Sequence, residues 1–243
     1  MSGNWDFSGK VAVLTGASRG IGLATANLLL DHGVSLLATA RSLEGLEKLH
    51  RPDRAERLEL MAGDIADEGF VDSLFQCLDQ RFGRIDFLIN NAGIGHFAPL
   101  ENLSVAAFRD SLNVNVLAAF MCMRQAIPRM IAGGRPGRVL NVASVRAHWT
   151  ERGDGGAYNA SKAGLAALTQ TVARQYHGSG HPISVGMISP GGTNTDLANP
   201  KGHPRPSFMS PDSVAAQIAH ILAAPDDINV MDLVFVPLAQ SPW

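Results

Sequence analysis

Tyr158 and Lys162 stand four residues apart in a stretch, 157–173, that reads as helix. That spacing puts both side chains on one helical face. A free tyrosine has a pKa of about 10 and is a poor base at neutral pH. An ammonium group beside it favours the phenolate. Lowering the pKa by about three units takes about 4 kcal/mol of differential stabilisation. The pair therefore predicts a proton donor and acceptor that works near neutrality, and Ser144 upstream adds a hydroxyl donor. Alone, such a pair is more often a feature of a helix surface. Its meaning depends on the glycine segment near the N-terminus.

That segment runs Thr15-Gly16-Ala17-Ser18-Arg19-Gly20-Ile21-Gly22. It follows a short β-rich run and opens a helical pattern, the context a dinucleotide fingerprint needs. Glycine lets the backbone approach a pyrophosphate closely, and the helix N-terminus offers N–H groups and a positive dipole end. The spacing is Gly-x-x-x-Gly-x-Gly rather than the common Gly-x-Gly-x-x-Gly. The plainer alternative is a tight turn with close helix packing.

The elements that must position these groups alternate from end to end. Apolar runs predict strands over 11–15, 34–40, 58–62, 85–90, 138–142, 183–188 and 230–236. Between them, helical periodicity predicts helices over 21–32, 43–49, 67–82, 104–130, 157–173 and 211–223, with Asp67 and Ser104 as starts and Gly33, Gly83 and Gly133-Gly134 as stops. Alternation of this kind implies βαβ units, a mostly parallel sheet and helices on both faces. With no linker, repeat or low-complexity segment, residues 1–243 read as one domain. The irregular, proline-containing stretch 191–210 has the length of a lid.

Bulk composition excludes other classes. Of 243 residues, 46% are hydrophobic and 17% charged, which fits a globular enzyme and not a disordered chain. A net charge of -2 gives no basis for nucleic-acid binding. No uninterrupted apolar run reaches the roughly 18 residues of a membrane span. Residues 1–6 are short and polar, without a signal-peptide core. Cys77 and Cys122 lack metal-ligand spacing and read as reduced core residues, so a cytoplasmic protein is expected. The eight histidines are scattered, and no metal site is expected.

Thr15 to Gly22, Asn90-Asn91-Ala92-Gly93, Asn115, Ser144, Tyr158, Lys162 and Pro190-Gly191 occur in the order found in short-chain dehydrogenase/reductases. The resemblance covers essentially the whole chain. It implies a Rossmann-type, doubly wound seven-stranded parallel α/β sheet, NAD(P)-dependent oxidoreduction and commonly a tetramer or dimer. Carried over, Gly16, Ser18, Arg19, Gly20 and Ile21 would cradle the cofactor phosphates. Asp64 and Ile65 would hold the adenine, and Asn91 and Ala92 would lie along the cofactor. Pro190, Gly191 and Thr193 would shape the nicotinamide site. The Asn90–Gly93 segment also reads as turn chemistry that stabilises the sheet.

Charge separates the two cofactors. An NAD enzyme usually presents a carboxylate at the end of the second strand for the ribose 2′-hydroxyl. Here that end reads Ala38-Thr39-Ala40-Arg41, with Ala40 in the acidic position. Arg41 and Arg19 could grip a 2′-phosphate through charge-assisted bonds. NADP(H) is therefore expected; the alternative is two solvated arginines.

By resemblance, Tyr158 exchanges the proton with the substrate oxygen, Ser144 hydrogen-bonds that oxygen, and Lys162 lowers the Tyr158 pKa and binds the nicotinamide ribose. Asn115, favoured over Asn113 by the frame of 116–120, would hold a water linking Lys162 to solvent. The Ser144–Tyr158 spacing is one residue longer than the commonest family spacing, which enlarges the loop 146–156. Substrate contacts are expected from 94–99, 145–156 and 192–209, which carry His96, Phe97, Arg146, His148, Trp149, Arg152 and Phe208. Each of these is also readable as packing or as a solvated side chain.

The leading expectation is a small-molecule carbonyl reductase, reversible as an alcohol dehydrogenase. The tail 229–237 looks like that of NADP-dependent serine and 3-hydroxy acid dehydrogenases, so a hydroxy acid is the alternative substrate. A catalytically silent NADPH-binding regulator needs no acid–base pair, and a methyltransferase on a similar sheet needs neither Tyr158 nor Lys162. Nucleotide-sugar epimerases share the pair but usually carry a longer C-terminal substrate domain.

Overall fold

The computed structural model describes residues 5–149, 153–199, 202–203 and 205–239. Seven strands form one sheet in the order β3-β2-β1-β4-β5-β6-β7. They are β1 (Val11–Thr15), β2 (Ser35–Ala40), β3 (Leu58–Ala62), β4 (Phe87–Asn90), β5 (Gly137–Val142), β6 (Ile183–Pro190) and β7 (Asp232–Phe235). Every neighbouring pair is parallel. All residues of β1 and of β5 are buried, which is why these strands read as continuous apolar runs rather than alternating ones.

Burial on both faces comes from helices on both sides. Ala12 and Leu14 of β1 point into a core shared with Ala26, Leu29 and Leu30 of α1 (Gly20–Asp31) and Val214 and Ile218 of α7 (Pro211–Leu222). Val11 and Val13 point the other way, toward Leu74, Phe75 and Leu78 of α3 (Glu68–Arg81) and Met121 and Cys122 of α5 (Ala118–Gly133). The period-two alternation of a strand thus divides one short segment between two cores.

Boundaries follow the predicted ones with local shifts. The stretch after β2 forms a short α2 (Leu43–Glu47) and then a 3₁₀ segment, Pro52–Arg57. Arg54 in that segment is buried, with its guanidinium on Asn27 Oδ1 at 2.7 Å and on the Asp31 carboxylate. An ordered arginine pair, rather than solvent, shapes this connection. Asp67 caps α3 by accepting from the Phe70 N–H at 2.7 Å.

The largest departure lies in the predicted helix 104–130. Ser104 does cap it, accepting from the Ala107 N–H at 3.1 Å. Yet α4 (Val105–Leu112) gives way to a π-helical turn, Asn113–Leu117, before α5 begins. An inserted π turn rotates the residues around it and is a frequent companion of functional sites. Taken together, Val105–Gly133 is a helical stretch of 29 residues with an 18-residue window of mean hydropathy 1.2, long and apolar enough by those measures alone to cross a membrane. In the fold it lies on the sheet and on α3, where Arg124 pairs with Glu68 and Arg129 with Asp79.

The remaining long helix, α6 (Gly156–Tyr176), carries Tyr158 and Lys162. The sheet order reverses direction between β1 and β4. In open α/β sheets, ligands bind beyond the carboxyl ends of the strands at such a switch point.

Candidate active site

The glycine turn after β1 is shaped by its neighbours. Gly16 has φ +69°, and a Cβ there would lie 2.8 Å from the Ala92 Cα. A Cβ on Gly22 would lie 2.1 Å from the Gly16 carbonyl oxygen. The backbone therefore folds tightly against the end of β4. Arg19 is the N-cap of α1 and offers it no side-chain cap. The first N–H groups of α1 are thus left for an anion at the switch point, which fits a dinucleotide pyrophosphate.

Asn91 serves this turn. Its Nδ2 donates to the Thr15 and Gly16 carbonyls, each at 3.0 Å. The N–H groups of Asn91 and Ala92 donate to Thr15 Oγ1 at 3.1 and 3.0 Å. The expected cofactor role for the Asn91 side chain is therefore overlaid by a strut between β1 and β4, and its amide hydrogens are already used. Ile65 is buried beyond β3, and the exposed Asp64 turns its carboxylate onto the Ala66 N–H at 2.9 Å.

The two arginines behave differently. Arg41 is exposed just past β2. Arg19 reaches across to the loop after β6 and meets Asp196 at 3.1 Å. Both partners are well exposed, so the contact costs little to exchange for another anion. Thr193, buried, bonds the Gly191 carbonyl at 3.0 Å, while the Gly191 N–H donates to Phe235 O at 2.8 Å. These bonds fix Pro190-Gly191 at the end of β6.

The four expected catalytic residues are all buried and come from three different segments, Tyr158 and Lys162 sharing α6. Asn115 sits in the π turn, where its Oδ1 accepts from the Ile94 N–H at 2.9 Å. Its Nδ2 donates to Ile94 O at 2.9 Å and to Ser161 Oγ at 2.8 Å. Ser161 in turn donates to the Tyr158 carbonyl at 2.8 Å. The side chain of Asn115 is thus fully engaged with protein groups. Ser161 was assigned no role from the sequence; a serine three residues after Tyr158 in a helix carries no signal without its partner.

Lys162 Nζ donates to Val142 O at 2.7 Å and stands 5.8 Å from the Tyr158 ring centroid. Burial pushes its pKa down to about 8. A Cβ on Gly93 would lie 3.5 Å from Nζ, so glycine keeps open the space beside the ammonium. Burial raises the Tyr158 pKa, and a hydrogen bond from Ser144 and the charge of Arg146 oppose the rise. Ser144 and Arg146 are thus the groups that favour the phenolate, and burial outweighs them. The phenol is therefore neutral and holds its proton at neutral pH.

The mouth above Tyr158 is apolar. The Phe97 ring lies 5.6 Å from the Tyr158 ring. Phe97 and Leu197 both crowd Gly95, where a Cβ would lie 2.6 Å from one and 3.2 Å from the other. Phe208 covers Gly192 in the same way. The Ala98 N–H donates to Asp154 O at 2.8 Å, joining two of the three expected substrate loops. His96 instead turns to Asp110 at 3.0 Å. Arg146, His148 and Trp149 line a hollow of about 470 Å³ against the outer side of α6. Arg152 lies outside the described residues.

Known proteins share this architecture. The family model for short chain dehydrogenase matches residues 10–206. Farnesol dehydrogenase of Aedes aegypti is 29% identical, with 97% of this chain and 98% of its own length covered. Cis-4-hydroxycyclohexanecarboxylate dehydrogenase of Sinomonas cyclohexanicum is 36% identical, with 79% of this chain and 76% of its own covered. An alcohol dehydrogenase from Thermococcus sibiricus, solved with 5-hydroxy-NADP, has a TM-score of 0.87 at 29% identity, with 96% of this chain and 99% of that chain covered.

The buried Lys162 makes the site costly. Its folded pKa of about 8 lies below that of a solvated lysine. The penalty is full below the folded value and disappears as pH rises to the unfolded value of about 10.4. Lys162→Met removes the charge and keeps much of the volume. It should raise the unfolding free energy of the cofactor-free protein at neutral pH, by an amount on the order of 3 kcal/mol. The gap to wild type should close between these two pH values in urea titrations. Equal stability of the two proteins at neutral pH would contradict this.

Proposed function

The chain belongs to the short chain dehydrogenase family, and from that premise we propose that it interconverts a carbonyl compound and a secondary alcohol using NADP(H). The observation that carries this reading is the convergence of Ser144, Tyr158 and Lys162 beyond the carboxyl end of β5, alongside the uncapped N-terminus of α1. A binding protein or regulator has no use for a buried, destabilising Lys162 beside a buried tyrosine.

When bound, the nicotinamide supplies or accepts the hydride. Tyr158, neutral at rest, gives its proton to the carbonyl oxygen during reduction and takes it back during oxidation. Ser144 donates a hydrogen bond where negative charge develops on that oxygen. Lys162, next to the space kept open by Gly93, would hold the ribose hydroxyls. Arg41, with Arg19 released from Asp196, would hold the 2′-phosphate.

The apolar mouth of Phe97, Leu197 and Phe208 suits a substrate with a hydrophobic ring or chain. Arg146, whose charge reaches Tyr158, favours a second reading in which the substrate also bears a carboxylate. The relative that acts on cis-4-hydroxycyclohexanecarboxylate is consistent with it. A keto acid and its methyl ester, compared by NADPH absorbance, separate the two readings. Higher kcat/KM on the ester is expected for the first and on the free acid for the second.

We also propose a homotetramer or dimer. Leu117 and Phe120 of the α5 region are 42% and 40% exposed, and Ala160, Ala163 and Ala167 of α6 are exposed as well. Ala118, Ala119 and Ala166, by contrast, are buried within the chain. Light scattering should give two or four times the chain mass at micromolar concentration. A monomer would contradict it.

NADPH should bind at least about tenfold more tightly than NADH, or about 1.4 kcal/mol. Arg41→Ala should remove most of that preference and leave NADH affinity nearly unchanged; equal dissociation constants in the wild type would sink the assignment.

Tyr158→Phe keeps the ring beneath Phe97 and removes the proton. Folding and NADPH binding should survive, while single-turnover hydride transfer should fall about 10²- to 10⁴-fold. Oxidation by the wild type should rise with pH as Tyr158 ionises, and Arg146→Met should move that rise to higher pH. Near wild-type transfer by the phenylalanine variant would end the reading.

A further inference from the structure

His148 does not face the substrate mouth. It closes the 3₁₀ turn Val145–Ala147, whose N-cap is Ser144, and its backbone N–H donates to Val145 O at 2.9 Å. Its Nε2 lies 2.9 Å from Asp232 Oδ2 and 3.1 Å from Ser189 Oγ. Ser189 Oγ donates to Asp232 Oδ1 at 2.8 Å. Three segments, the turn after β5, the end of β6 and the start of β7, therefore meet in one triangle.

With Asp232 ionised, the three contacts assign the hydrogens of the triangle. The single hydroxyl hydrogen of Ser189 goes to Asp232, so the serine oxygen can only accept from His148. Both carboxylate oxygens of Asp232 are then taken, one by Ser189 and one by Nε2–H. Nε2 must carry a hydrogen. This arrangement is not a nucleophile with its base. Ser189 is fully buried, and its hydrogen points to the carboxylate rather than the imidazole.

Its location suggests what it does. Immediately before Ser144, the Ala143 N–H donates to Ile188 O at 2.8 Å. Immediately after the turn, His148 reaches Ser189. Ser144 is thus suspended between two anchors on consecutive residues of β6. The same strand continues into Pro190-Gly191. Without the second anchor, Ser144 would be held on one side only.

We infer that His148 is a positioning residue: by binding Ser189 and Asp232 it fixes the turn that aims the Ser144 hydroxyl at the substrate oxygen. This rests on the reading that Ser144 acts on that oxygen. The partners also account for the choice of side chain. Asp232 is partly withdrawn from water, which raises its carboxyl pKa, and the bonds from Ser189 and His148 offset the rise. A donor with fixed direction on a short side chain is what this site requires.

The test uses the full chain with NADPH and any carbonyl compound it reduces. Ser144→Ala, His148→Ala, His148→Gln and the double alanine variant are compared. Ser144→Ala should lower kcat. His148→Ala should lower kcat about tenfold, since small misplacements of a catalytic group are costly, and leave the NADPH dissociation constant within about twofold. His148→Gln, whose amide nitrogen can replace Nε2–H, should restore most of the rate. In the Ser144→Ala background, His148→Ala should cost less than about threefold, the non-additivity expected when one residue acts through another. If His148→Ala does not fold, Asp232→Asn takes its place in the cycle, with the same non-additivity expected. Wild-type kcat in the anchor variant, or fully multiplicative losses in the double variant, would overturn the inference alone. Wild-type kcat in Ser144→Ala would bring down the reading of the site and the inference with it.

Discussion

The side-chain amide of Asn115 joins three segments that are distant in sequence. It closes two bonds with the backbone of Ile94 and one with Ser161, which bonds the carbonyl of Tyr158. A buried amide left without partners costs about 1–3 kcal/mol, and here its carbonyl and both amide hydrogens are satisfied. The π turn at Asn113–Leu117 is what brings Asn115 inward from a helix that would otherwise run straight. The position of α6, and with it Tyr158 and Lys162, is set against the loop after β4 by this one group.

A second constraint runs against stability. Lys162 is buried with one carbonyl partner, and burial disfavours its charge. Tyr158 is buried beside it and held neutral. Neither arrangement serves packing, because an apolar pair would fill the same volume at lower cost. A Cβ on Gly93 would come within 3.5 Å of the ammonium, so glycine leaves space beside it.

The loops around the site are stitched to one another rather than free. Ala98 is bonded to Asp154, Leu197 touches the Gly95–Phe97 segment, Arg19 pairs with Asp196, and His148 binds the ends of β6 and β7. The glycine turn, the substrate loops and the sheet edge therefore form one connected surface. The exposed Arg19–Asp196 pair is its weakest seam, since solvent screens it and a phosphate can compete for the arginine.

Much of this was legible in the residues themselves. Continuous apolar runs mark buried parallel strands, so the seven strands of the sheet could be counted from sequence. The four-residue spacing of Tyr158 and Lys162 is a local helical fact, and so is the glycine turn that opens α1. What sequence spacing cannot carry is contact between segments. The π turn leaves no composition signal, so 104–130 read as one helix. The Asn91 amide is spent on Thr15 and Gly16, Ser144 and Arg146 oppose the rise that burial gives the Tyr158 pKa, and His148 meets Ser189 and Asp232. Each of these depends on which buried donor finds which acceptor. That pairing is decided only when the chain is packed, because a hydrogen bond is worth most where water has been excluded.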